Sequence, residues 1–159
     1  MMTETDKTNK PIITPNLIIL DLNCKTSEEV IRQLGQIIED RALVKAGFVQ
    51  SILDREKEYP TGLPTGGVAV AIPHTNANYV LKSAIITAIL ANPVPFCNMA
   101  DPDESLPIRI VFMLAIKEPA FQVVWLKQLM EFLRKPEQLQ KMLELKDTNK
   151  IAKFLNEAL

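Results

Sequence analysis

Apolar residues along this chain fall alternately into short unbroken runs and into spacings of three and four, so strands and helices are expected in turn. Leu17 to Leu22, L-I-I-L-D-L, reads as a short strand at a sheet edge, following Pro15. Thr26 to Glu29, T-S-E-E, matches a capping box, in which hydroxyl and carboxylate satisfy the free amides of a helix start. Beyond it Val30, Ile31, Leu34, Ile37, Ile38, Leu43 and Val44 predict an amphipathic helix running to a stop at Gly47. A shorter helical pattern, Val49, Ile52 and Leu53, follows Phe48 and ends in the charges Asp54 to Glu58. Tyr59 to Gly67 packs two prolines and three glycines into nine residues and is expected to be a shaped loop.

Val68 to Ile72 reads as a buried strand, Ser83 to Leu90 as a second and Val94 to Phe96 as a third piece. Met99 to Ser105 is expected to be an acidic loop, with a nearly continuous apolar strand, Ile108 to Ile116, beyond it. Phe121, Trp125, Leu126, Leu129, Phe132 and Leu133 trace one helical face. Pro136 suits the first turn of a helix through Leu145, and Asp147 or Thr148 can cap a last one, Ile151 to Leu159. The pattern predicts one α/β domain over residues 14–159 with a helical C-terminal quarter, after a flexible tail over residues 1–13.

A length of 159 residues suits a single domain with a sizeable core. The formal charge of −1 offers no electrostatic footprint for nucleic acid or an anionic membrane. The longest apolar-rich run, Ser83 to Ala91, is far short of the roughly 20 residues of a membrane span, and the N-terminus has no apolar signal core, so a cytoplasmic location is expected. Cys24 and Cys97 are far apart and outside any C-x-x-C arrangement, which indicates neither a disulfide framework nor a redox pair.

The single histidine, His74, follows Val68 to Pro73, placing it just past the C-terminal end of a strand, where reacting groups collect in open α/β sheets. It is open to three readings: a core or turn residue with one hydrogen bond, a metal ligand, or a reactive group. No second histidine supports a metal, and none is expected. As a reactive group it needs one ring nitrogen tied to an oxygen, leaving the other as a nucleophile toward phosphorus. Phosphoryl oxygens then need donors. Arg55 has the planar fork for this, and Thr61, Thr75, the amides of Gly66 and Gly67 and the helix start at Phe121 to Val124 are further candidates. Arg55 has an alternative as a surface ion pair with Glu56 or Glu58. Asp101, Asp103 and Glu104, around Pro102, read as a solvated loop rather than a pair of catalytic acids. Neither G-x-G-x-x-G nor a P-loop occurs, which disfavours direct use of ATP, and no cofactor is expected.

R-E-K-E-Y-P-T-G-L, Arg55 to Leu63, followed by G-V-A-V-A-I-P-H-T, Gly67 to Thr75, resembles the signature of phosphotransferase-system EIIA domains of the fructose/mannitol superfamily, most like the galactitol-type branch. The resemblance implies a single-domain mixed β-sheet flanked by helices on both sides. It also implies that His74 accepts phosphoryl from the histidine of the carrier HPr and passes it to a cysteine of an EIIB component, with Arg55 beside it. The membrane EIIC component would be met only indirectly. Mannitol- and fructose-type members often carry a second active-site histidine opening a later helix; this chain has Gln122 there, a neutral donor assigned a phosphate contact. Tyr79 and Phe121 are candidates for an apolar rim that meets partners. Two other readings remain: a regulatory EIIA-like protein acting through phosphorylation-dependent binding, and a non-catalytic interaction domain.

Overall fold

The computed structural model describes residues 10–159 and shows a mixed five-stranded sheet with helices on both faces. In chain order the elements are β1 (Ile18–Leu22), α1 (Ser27–Asp40), α2 (Phe48–Glu58), β2 (Gly62–Leu63), β3 (Ala69–Ala71), β4 (Ala84–Asn98), β5 (Asp101–Ala115), α3 (Pro119–Leu133), α4 (Pro136–Leu145) and α5 (Thr148–Ala158). The long antiparallel hairpin of β4 and β5 is the centre. β1 lies parallel to β4 and, among the described residues, pairs with no other strand, the edge position its sequence predicts. β3 lies parallel to β5, and β2 pairs antiparallel with β3 and reaches the far end of β4 through Gly62 and Asn98.

Alternation along the central strands explains the two helical layers. Ala84, Ile86, Ala88 and Leu90 of β4 with Val111, Met113 and Ala115 of β5 pack on one side against Val30, Leu34 and Ile38 of α1 and Phe48 and Ile52 of α2. Ile85, Ile89, Ile110, Phe112 and Leu114 face the other way, onto Leu129 and Phe132 of α3, Leu139 of α4 and Ile151 and Leu155 of α5. With both faces covered, the strands can be almost uniformly apolar, and each fully buried Ile or Phe contributes roughly 1.5–3 kcal/mol.

Several boundaries differ from the sequence reading. The tail expected over residues 1–13 falls mainly on residues 1–9, outside the described residues; Ile12 exchanges backbone hydrogen bonds with Ser83 and Ile85, and Ile13 is buried in the core. The first helix ends at Asp40, not Gly47. Ala42 takes φ +58°, and the amides of Ala42 and Leu43 return to the carbonyls of Glu39 and Ile38, the hydrogen-bond pair of a Schellman stop formed without glycine. Gly47, at φ +95°, instead starts α2. The strands expected at Ser83 to Leu90 and Val94 to Phe96 are one bulged strand that begins at Ala84, and the expected acidic loop shrinks to a turn at Met99 and Ala100. Asn98 makes this possible: its side chain accepts from the Ala100 amide and donates to Glu104. Pro95 and Pro107 sit opposite one another in this arm and must occupy positions whose amides would face away from the ladder, so neither costs a cross-strand bond.

The Tyr59 to Gly67 loop contains β2, and its glycine is needed there: a Cβ on Gly62 would stand 2.5 Å from the carbonyl oxygen of Cys97. Gly62→Ala is expected to lower unfolding stability by about 1–3 kcal/mol in urea titration through overpacking, and an unchanged midpoint would contradict the close approach.

Candidate functional site

His74 stands where β3 gives out. Ala71 still pairs with Val111, and the Pro73 carbonyl accepts from the Leu114 amide at 3.0 Å, so the segment stays tied to β5 up to the residue before the histidine. Pro73 itself has no amide to donate, and the chain then leaves the sheet. The residue is 9% exposed and borders an open cleft of about 340 Å³ whose lining includes Arg55, Tyr59, Thr61, Met99 and Leu126.

The ring's Nδ1 lies 2.8 Å from the carbonyl oxygen of Ile72. A carbonyl only accepts, so Nδ1 carries the proton and Nε2 keeps a lone pair. Burial lowers the ring's pKa below the ordinary imidazole value; the Ile72 carbonyl opposes that shift and the charge on Arg55 adds to it. The imidazole is therefore neutral, and nucleophilic at Nε2, at neutral pH. The turn reading, with one satisfied hydrogen bond, describes half of this geometry but not the border on a cleft. Among the described residues no cluster of three or more His, Cys, Asp or Glu side chains is spaced to hold a metal ion.

Arg55, in the last turn of α2, lies over the Tyr59 ring with its guanidinium carbon 5.5 Å from the centroid, and its Nε is buried without a hydrogen-bond partner. The surface ion pair with Glu56 or Glu58 is not formed; the ion pairs seen among the described residues are Arg32 with Glu28 and Arg134 with Glu131. A buried, unanswered guanidinium donor beside a cleft suits an anion.

The other sequence candidates divide. Gln122 Nε2 donates to the Thr75 carbonyl at 3.0 Å, which links α3 to the histidine loop and leaves its second amide hydrogen uncommitted there. The Thr75 hydroxyl makes a short hydrogen bond with that of Ser51. The Thr61 hydroxyl donates to Glu56 Oε1 at 2.6 Å and accepts from the Ile72 amide at 3.1 Å, so its proton is turned away from the cleft. Gly66 and Gly67 lie against Pro136 instead of lining the cleft. At the start of α3 the amides of Phe121 and Gln122 are both taken by the Glu118 carbonyl, which removes the donors expected there. Tyr79 packs over Gly47, and neither it nor Phe121 lines the cleft; the exposed apolar side chains at its mouth are Tyr59 and Met99. Their pattern in the sequence carried no period that marks a rim.

Glu56 was visible only as a neighbour of Arg55. In the structure its carboxylate accepts from both the amide and the hydroxyl of Thr61, each at 2.6 Å. Burial pushes its pKa above the usual carboxylate range, while the two bonds from Thr61 and the charge on Arg55 pull it back.

A neutral imidazole with one nitrogen anchored and the other free has the chemistry of a group carrier. Comparison with known proteins puts the chain among phosphotransferase components. The family model for the phosphoenolpyruvate-dependent sugar phosphotransferase system, EIIA 2, matches residues 11–158, and the chain belongs to that family of phosphocarrier domains. The galactitol-specific EIIA component of Escherichia coli (strain K12) is 30% identical over 120 residues, 76% of this chain and 79% of that protein. Of solved structures, the mannitol IIA of Escherichia coli superposes with a TM-score of 0.73 at 23% identity, covering 91% of this chain and 99% of that one. The complex of Escherichia coli mannitol IIA with phosphorylated mannitol IIB gives 0.71 at 24% identity, covering 89% and 95%. These two likenesses speak for the fold. No helix among the described residues is long and apolar enough to cross a membrane.

Because the folded ring's pKa is depressed, lowering the pH protonates the unfolded chain's histidine first. The stability due to the neutral buried ring is then lost as pH falls from about 6.5 through the folded value. Ring-proton NMR of the native protein should place the His74 midpoint below 6.5, and Arg55→Ala should move it upward; a native midpoint at or above 6.5 would contradict the geometry.

Proposed function

We propose that His74 is the phosphoryl carrier of this chain, accepting the group from phosphohistidine HPr and delivering it to a cysteine of an EIIB component. The chain then works in the cytoplasm and meets the membrane EIIC permease only through EIIB, in the coupled uptake and phosphorylation of a galactitol-like sugar alcohol. The observation that carries the reading is the ring's orientation: the Ile72 carbonyl holds the Nδ1 proton, and Nε2 is left with its lone pair in a histidine that borders the cleft with Arg55. The galactitol class is supported by the 30% identity to the galactitol-specific component.

In the first step the Nε2 lone pair forms a bond to phosphorus as the donor's N–P bond breaks, and the donor imidazole leaves with that electron pair. His74 keeps its Nδ1 proton, so the ring gains positive charge, which the Ile72 carbonyl stabilises. Arg55 answers charge on the equatorial phosphoryl oxygens, and Gln122 offers its second amide hydrogen from the helix that also carries Leu126 of the cleft. Thr61 and Thr75, assigned phosphate contacts from the sequence, lie beside the histidine with hydroxyls engaged by Glu56 and Ser51. In the second step a partner thiolate attacks phosphorus and the N–P electrons return to Nε2. Both N–P bonds are labile, so positioning and charge compensation are enough.

Incubation with labelled phospho-HPr should give an acid-labile, base-stable label that is absent in His74→Ala; label persisting there would overturn the assignment. Arg55→Ala should slow transfer on the order of a hundredfold with folding retained, and Gln122→Ala should slow it less. Label that stays on His74 in the presence of the cognate EIIB would refute the transport role and favour a regulatory one.

A further inference from the structure

Thr61 and Ile72 stand opposite each other one step beyond the last regular pair of β2 and β3, Gly62 with Ala71. Antiparallel pairing at this place would have the two residues exchange both backbone hydrogen bonds, Ile72 amide to Thr61 carbonyl and Thr61 amide to Ile72 carbonyl. Only the first is present, and it is long at 3.4 Å. The Thr61 amide turns instead to Glu56 Oε2 at 2.6 Å, and the Ile72 carbonyl is taken by the His74 ring at 2.8 Å. The ring therefore occupies an acceptor that the ladder would otherwise claim.

We propose that Glu56 is a positioning residue for His74: its carboxylate captures both donors of Thr61 and so reserves the Ile72 carbonyl for the Nδ1 proton. One further contact makes the capture tight. The Thr61 hydroxyl, by donating to Oε1, is oriented with its oxygen toward the Ile72 amide, which it receives at 3.1 Å. The same peptide strand is thus gripped at its amide by Thr61 and at its carbonyl by the histidine. A carboxylate is needed because two donors converge on it; a carboxamide of the same shape has one acceptor oxygen and would set an N–H against one of them. The released Thr61 amide would then compete with the imidazole for the Ile72 carbonyl. His74 would lose the constraint on its tautomer, and part of its population would carry the proton on Nε2, where no phosphoryl group can be accepted. The consequence for transfer rests on the carrier reading of His74; the hydrogen-bond assignment does not.

Two measurements test this. In the native protein, through-bond NMR couplings should connect the Thr61 amide to the Glu56 carboxyl carbon, and a coupling to the Ile72 carbonyl instead would overturn the proposal whether or not any variant folds. In Glu56→Gln, the ring nitrogen shifts of His74 should move from a single Nδ1–H tautomer to a mixture. Transfer from phospho-HPr should fall on the order of tenfold to a hundredfold in kcat, with KM changed by less than about threefold. A single unchanged tautomer in a folded Glu56→Gln would refute the positioning role. If the native protein shows the expected couplings and tautomer yet takes no label from phospho-HPr, the carrier reading falls and the positioning of the ring by Glu56 stands.

Discussion

The bond from the His74 ring to the Ile72 carbonyl is the constraint around which the site is arranged. It sets which nitrogen is basic, and it uses a carbonyl at the end of β3 that no strand amide claims. Just there the Thr61 amide turns to the helix-borne Glu56, one residue before Gly62 passes close to the Cys97 carbonyl. On the β5 side the Pro73 carbonyl remains paired with Leu114, so the loop is anchored on one flank while the other is given over to the imidazole.

The electrostatics follow from the same packing. A histidine at the margin of a buried sheet is kept neutral by loss of solvent, and the neighbouring guanidinium reinforces this. Arg55 has a buried Nε with no acceptor, an arrangement that costs about 1–3 kcal/mol; Thr87 Oγ1 and Trp125 Nε1 share it within the core, but of the three only Arg55 borders the cleft with His74. Such a cost is understandable where an anionic group completes the pairing. The Tyr59 ring beneath the guanidinium holds it in place without neutralising it.

Much of the architecture was legible in the residues. Period and capping located the five helices of the described residues, and the apolar-rich run Ser83 to Leu90 with the nearly continuous one at Ile108 to Ile116 fitted a sheet covered on both faces. The placement of His74 beyond a strand closed by proline was legible too, because proline restricts both its own backbone and that of Ile72. What escaped depended on contacts distant in the chain or on atypical residues. Ala42 ends α1 in a conformation usually given to glycine, so the stop was misplaced at Gly47. The hairpin turn after Asn98 was hidden by acidic and proline residues that normally mark loops. Glu56 looked like one more surface charge, since its role arises from the return of the chain at Thr61, which no helical period encodes.

The opposed prolines of the β4–β5 arm bear on how the protein behaves in company. Where this arm runs past β1 and β3, and before β2 meets β4 at Asn98, its outer margins would present open backbone donors, the template on which sheets of separate molecules join. Pro95 and Pro107 delete donors on both margins at the same level. The arm can thus reach the cleft, where Met99 and Pro102 lie, with one donor fewer on each margin for a second molecule's strand to pair with.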